Sequence, residues 1–114
     1  MPLFVKGEDM FTINGILWRI HFVPPNSRNL MRSDGSMTFG VCDGLTHDIY
    51  ISNAISDGFL RKVLIHEVCH SAMFSYGIYL DLEQEELFCD LVSTYGDEII
   101  SVVDNVFMGL QNVA

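Results

Sequence analysis

Hydrophobic and polar positions alternate in the first half of the chain and predict three strands. In the segment GILWRIHFVPP, hydrophobic side chains recur at every second position until two prolines end the run. A second alternating run, SMTFGV, follows the turn-forming pair Asp34-Gly35, and a third run lies in HDIYISN, residues 47–53. Because only a short turn containing Asp43-Gly44 separates the second run from the third, we expect these two strands to pair.

Hydrophobic positions in the second half recur with helical spacing and predict two helices. The first begins with Ser56 as its cap, ends near Gly77, and is apolar on most faces, so we expect it to be largely buried. The second begins with Asp81 as its cap and Gln84 three residues later, as in a capping box. Its periodicity continues beyond Gly96, a residue at which the helix can kink or end. Strands followed by helices favour an α+β fold with a small antiparallel or mixed three-stranded sheet.

Length and composition indicate one domain spanning residues 1–114. The chain has 49% hydrophobic and 18% charged residues, and no apolar run approaches the roughly 20 residues needed to span a bilayer. The N-terminal stretch MPLFVKGEDMF carries acidic residues where a signal peptide needs an apolar segment. We therefore expect a soluble, cytoplasmic protein that does not associate with membranes.

The cysteines and the net charge narrow the classes of function. Cys42, Cys69 and Cys89 are an odd number in separate segments without a CxxC pair, so we expect small buried side chains and neither disulfides nor a thiolate zinc site. The formal net charge is −9, with only six lysines and arginines. Because nucleic-acid affinity depends largely on clustered basic residues, a nucleic-acid partner is not expected.

The segment VLIHEVCHSAMF places three polar side chains in an otherwise apolar helical run. His66 and His70 are four residues apart and lie on one face of a helix, so their imidazoles can converge on one ion. Neutral imidazole suits zinc, and Glu67 beside the ion is placed to accept a proton from zinc-activated water. The alternative is a pair of hydrogen-bonded core histidines. It requires three polar side chains to be buried without a ligand, at a cost of several kcal/mol.

A zinc site needs at least a third protein ligand, and the second helix offers one. In one type of helical zinc motif, a glycine follows the first histidine ligand by seven residues and the third ligand, a histidine, follows it by ten. This chain has Met73 and Tyr76 at those positions, so that motif is excluded. In EELFCD, Glu86 lies four residues before Asp90, so Glu86 can bind the ion while Asp90 accepts the distal N–H of a ligand histidine. Glu85 and Glu83 are the alternatives. Acidic residues are also common at helix starts without binding metal, because they interact favourably with the helix dipole.

HEVCH followed by EELFCD resembles the gluzincin pattern of HExxH on one helix and ExxxD on the next. Residues 40–96, roughly half of the chain, resemble small zincins of the ImmA/IrrE-like and phage-encoded metallopeptidase type. The resemblance implies a zincin-like fold, Zn²⁺ bound by His66, His70 and Glu86, Glu67 as general base and then acid, and Asp90 behind the ligands. It also implies that HDIYIS lies at a sheet edge and holds an extended substrate by backbone pairing.

The expected activity is zinc-dependent hydrolysis of a peptide bond in an intracellular protein or peptide, and the resemblance suggests a regulatory protein as the substrate. The chain is too short for the further domain that supplies an oxyanion donor in larger gluzincins. Tyr95 is the candidate for that donor, ahead of Tyr76, Tyr50 and His47, and a partner protein is a candidate for completing the cleft. The rival hypothesis is a catalytically silent zincin-like module that docks a partner protein. Intact Glu67 argues against it.

Overall fold

A computed structural model describes residues 9–112, which form an α+β fold of a four-stranded mixed sheet and two long helices. The strands are β1 (Met10–Ile13), β2 (Ile16–Val23), β3 (Gly40–Asp43) and β4 (Asp48–Ser52). The helices are α1 (Asp57–Ser75) and α2 (Leu82–Gln111), and a single 3₁₀ turn lies between β2 and β3. The expectations about the N-terminal eight residues lie outside the described part of the chain.

The strand order across the sheet is β1-β2-β4-β3, and it corrects two expectations. The sheet has four strands because β1 pairs with β2 through the turn Asn14-Gly15, whose φ angles of 50° and 77° are typical of a tight hairpin. The strand in HDIYIS is β4, which pairs antiparallel with β3 as expected. It also pairs in parallel with β2, so it lies inside the sheet and β3 is the edge strand next to it.

The interior position of β4 follows from its hydrophobic residues. Ile49 and Ile51 are completely buried, and they form the core together with Trp18 and Ile20 of β2. Hydrophobic side chains of α1 cover this cluster on the same face of the sheet. Full burial of a large hydrophobic side chain stabilises the folded state by about 1.5–3 kcal/mol. Because the core residues of the sheet lie on β2 and β4, the pairing of these two strands is the centre of the fold.

Helix α1 crosses the sheet and is anchored at its C-terminal end. The indole N–H of Trp18 donates a hydrogen bond of 2.8 Å to the hydroxyl of Ser75 at the end of the helix. Ser56 stands at the N-cap, but its side chain makes no capping hydrogen bond. The expectation of a largely buried helix is only partly met: just four residues of α1 are fully buried, and most of the others are half-buried.

Helix α2 is continuous over 30 residues. Its cap is the predicted one, because the Asp81 side chain accepts a hydrogen bond of 2.9 Å from the backbone N–H of Gln84. Gly96 neither kinks nor ends the helix. The first half packs against α1 as far as an ion pair of 2.9 Å between Arg61 and Asp97, and every described residue beyond position 96 is exposed.

Among the described residues, neither helix combines the length and the apolar character needed to span a membrane.

Candidate metal centre

Two helices bring together the three residues expected to bind metal. His66 and His70 lie one turn apart on α1, and their Nε2 atoms are separated by 3.2 Å. Glu86 of α2 points between them: its Oε1 atom is 2.5 Å from His70 Nε2 and 3.4 Å from His66 Nε2. Two imidazole nitrogens and one carboxylate oxygen therefore converge on a single point.

Both histidines are oriented by a second carboxylate. His66 Nδ1 lies 3.0 Å from an Asp90 oxygen, and His70 Nδ1 lies 2.5 Å from an Oε2 of Glu85. An ionised carboxylate only accepts hydrogen bonds, so Asp90 and Glu85 would each hold the imidazole proton on Nδ1 when Nε2 binds a cation. Both Nε2 lone pairs then point at the same space as the Glu86 oxygen.

This arrangement fits a zinc ion. Ligand atoms of tetrahedral zinc lie about 3.3 Å from one another, given zinc–nitrogen distances near 2.0–2.1 Å. Two of the three separations, 3.2 and 3.4 Å, already have this value, and only the contact between Glu86 and His70 must lengthen. Three convergent lone pairs repel one another unless a proton or a metal cation lies between them. Two histidines and one glutamate are also the protein ligands of a catalytic zinc that keeps a fourth position open.

Exposure is uneven around the candidate centre. The side chains of His66 and His70 are 17% and 12% exposed, whereas that of Glu86 is 44% exposed. The centre therefore opens to solvent on the side of α2. Water can reach the point of convergence from that side.

Glu67 is the buried carboxylate beside the two histidines. It is only 7% exposed, and burial raises its pKa above the ordinary value for glutamate. Attraction to His66, His70 and Arg32 opposes this shift, while repulsion from Glu86 adds to it. A carboxylate with an increased affinity for protons, next to the candidate metal centre, has the property that a general base needs.

Gly40 at the start of β3 makes room for Glu67. A Cβ atom on Gly40 would lie 2.8 Å from Val63 Cγ1 and 2.9 Å from Glu67 Cγ, closer than packed atoms approach. The edge strand therefore rests directly on α1 at the glutamate. No other residue type fits here without moving either the strand or the carboxylate.

Replacing Gly40 with alanine should lower the stability of the fold by about 1–3 kcal/mol, because the added methyl overpacks the contact between β3 and α1. Urea unfolding of the purified chain measures the change. Gly58→Ala is the matched control, since a Cβ at Gly58 meets nothing within 4 Å. Equal stability of the native chain and Gly40→Ala would show that the close approach of β3 is not a constraint.

The candidate centre lies in a cleft of about 760 Å³ between β3, α1 and the first half of α2. The free edge of β3 forms one wall, and the segment before it contributes Arg32 and Phe39. Arg32 and Lys62 are the basic side chains that line this cleft among the described residues. Its volume and open edge suit an extended chain segment better than a compact small molecule.

The carboxylates of α2 contact the two histidines in different ways. Asp90 was expected to accept the distal N–H of one of the two histidines, and in the structure it contacts His66 with a side chain that is 67% exposed. Glu85, considered only as an alternative ligand, orients His70. No spacing within α2 identifies Glu85, because its contact with His70 depends on how the two helices are rotated against each other. Glu83 is exposed and lies outside the cleft.

The candidate oxyanion donors are not brought to the centre. Tyr95 is 53% exposed and does not line the cleft. Tyr50 stacks on His21, and His47 packs against Trp18 and Phe74 without lining the cleft itself. Tyr76 caps the end of α1 and is exposed. Arg32 and Lys62, which the sequence reasoning did not consider, are cationic donors that the structure places in the cleft.

The three cysteines are free, as expected. Burial raises the pKa of each thiol above the ordinary cysteine value, so all three are held protonated at neutral pH. Cys69 and Cys89 contact each other between the helices and do not point at the candidate centre.

Comparisons with known protein families, with characterised proteins and with solved structures found no match to this chain.

Proposed function

We propose that this chain is a zinc-dependent metallopeptidase with a zincin-like fold. The observation that carries the proposal is the orientation of the two histidines, whose Nδ1 atoms are both engaged by carboxylates while both Nε2 atoms face Glu86. A pair of core histidines needs no such arrangement. Paired carboxylate–histidine contacts are a common feature behind metal ligands, where they fix the tautomer and strengthen the ligand.

The chemistry follows from the positions of the chain's own residues. Zinc, when bound by His66, His70 and Glu86, would polarise the scissile carbonyl and lower the pKa of water in the site toward about 7. Glu67 accepts the proton of that water and then donates it to the amine that leaves. Arg32 is the candidate for balancing the negative charge that develops on the carbonyl oxygen.

The edge strand β3 is the candidate for holding the substrate. Its outer side has no strand partner among the described residues, and it runs along the cleft beside Glu67. An extended peptide can add to this edge by backbone hydrogen bonds, which place a peptide bond next to the carboxylate. The proposed substrate is therefore an extended segment of a protein or a peptide. A cytoplasmic location and a regulatory protein as the natural target belong to the same proposal.

The test is zinc-dependent peptide hydrolysis by the untagged chain. Incubation with a pool of fluorescence-quenched peptides should give cleavage that a zinc chelator abolishes and added zinc restores. Because the chelator removes the metal without changing the sequence, the native chain is its own control. Cleavage that survives complete chelation, or a zinc-loaded chain that cleaves no peptide, would contradict the proposal.

A further inference from the structure

The second half of α2 exposes a continuous apolar face that the described fold does not cover. Residues 97–111 extend for about 22 Å beyond the contact with α1. Ile99, Val103, Val106 and Leu110 are each at least 50% exposed. At 100° per residue, the hydrophobic positions of this segment other than Met108 occupy an arc of about 160°, which is the width expected of a helix face that packs in a core. Met108 lies among the polar positions on the other side of the helix.

This face continues the one that packs on α1. In the first half of the helix Cys89 is buried and Val92 and Gly96 are half-buried. Ile99, Val103, Val106 and Leu110 follow them with the same alternating spacing of three and four residues. That spacing is typical of helices that pack at a shallow angle with interlocking side chains. The exposed half of α2 therefore has the pattern of a helix that lacks its partner.

We propose that the partner is a second copy of this chain, with the exposed halves of two α2 helices packed antiparallel around a twofold axis. A shallow groove of about 300 Å³ on this face is lined only by Val102, Val103, Val106, Phe107 and Leu110. Burying the face on both copies removes on the order of 1,000–1,400 Å² from water, which reaches the range of specific interfaces.

The face is complementary to itself in this arrangement. An axis between residues 104 and 105 places Ile99 opposite Leu110 of the second copy and Val103 opposite Val106 of the second copy. In antiparallel helix pairs, a residue at one of the two repeating core positions characteristically packs against a residue at the other core position of the second helix. One twofold axis relates both contacts, so the dimer is closed and does not continue into a filament.

The flanks of the face also match, and they carry no charge. On one flank Ile100 lies beside Phe107 of the second copy, and on the other Val102 lies beside Gly109 of the second copy. Glu98 and Asp104 lie on the far side of the helix, so two chains of net charge −9 can meet here without placing carboxylates opposite each other. The uncharged face thus favours a second copy over a basic partner.

Sedimentation equilibrium of the untagged full chain tests this assembly without relying on the proposed peptidase activity. The native chain should sediment at twice the 12.9 kDa of the monomer at micromolar concentrations. Val106→Glu should raise the dimer dissociation constant at least about a hundredfold, because it places a charge at the centre of the interface. Asn105→Glu adds the same charge to the opposite face and should leave the dimer intact.

A double variant tests the orientation of the two helices. In the antiparallel register, Val103→Lys with Val106→Glu creates two Lys–Glu contacts, so the double variant should dimerise more tightly than either single variant. Circular dichroism of each variant verifies that the helices remain. A native chain that stays monomeric at about 100 µM, or equal dissociation of Val106→Glu and Asn105→Glu, would overturn the proposal. A double variant no tighter than the single ones would overturn the antiparallel register.

Discussion

Replacing Glu67 with glutamine should abolish peptide hydrolysis while zinc content stays at that of the native chain. Glutamine keeps the size of the side chain against Gly40 and Val63, so the packing of β3 on α1 is preserved. Its amide cannot accept the proton of the attacking water, and loss of a general base typically lowers the rate about 10²–10⁴-fold. The carboxylate is not one of the three groups that converge on the candidate ion, so zinc should remain bound.

The matched control is Glu83→Gln, which neutralises one carboxylate in the exposed first turn of α2, outside the cleft. Steady-state cleavage of a fluorescence-quenched peptide and zinc content by plasma mass spectrometry are measured on both variants. Undiminished cleavage by Glu67→Gln would remove Glu67 from the mechanism. If the native chain cleaves nothing, but Glu67→Gln and the native chain bind the same partner protein, the rival hypothesis of a docking module gains support.

The local parts of the fold were readable from the sequence. The helical period around HEVCH located α1 and placed His66 and His70 on one face, because four residues make slightly more than one turn. Asp81 and Gln84 located the start of α2 because their contact is a short-range hydrogen bond. These elements depend only on residues within one or two turns of each other.

The order of the strands depends on contacts that are distant along the chain, and there the sequence reasoning failed. Nothing in the alternation of β4 shows that it pairs with β2 as well as with β3, because both sides of a strand carry the same backbone groups. The burial of Ile49 and Ile51 in a core with Trp18 determines that β4 pairs with β2. The hairpin of β1 is a different case, since the pair Asn14-Gly15 is a strong turn signal that was present in the sequence.

The candidate centre depends both on spacing within one helix and on contacts between two helices. The spacing of four residues predicted that Glu86 and Asp90 share a helix face directed at the histidines, and in the structure both lie against His66. The role of Glu85 needed the relative rotation of α1 and α2, which the packing of the two helices determines. Spacing within one helix therefore favoured Glu86 over Glu85 as ligand, and only the structure showed that Glu85 lies against His70.

Replacing His70 with alanine should abolish tight zinc binding. It removes one of three protein ligands and leaves Glu85 and Glu86 without the imidazole that lies between them. Loss of a ligand from a site of this kind should weaken zinc binding at least about a thousandfold, so protein purified without a histidine tag should contain no zinc by plasma mass spectrometry. Because zinc binds only the folded chain, zinc should raise the unfolding temperature of the native chain and leave that of His70→Ala unchanged.

A graded series on α2 then separates ligands from orienting residues. Glu86→Ala should weaken zinc binding nearly as much as His70→Ala, whereas Glu85→Gln should weaken it only about 10–100-fold, because it removes the hydrogen-bond acceptor behind a ligand. Glu83→Gln should have no effect, since Glu83 is exposed and does not line the cleft. The reverse order, with Glu85→Gln costing more than Glu86→Ala, would make Glu85 the third ligand. Equal zinc content in all variants would place the metal elsewhere and leave the histidines as a structural pair.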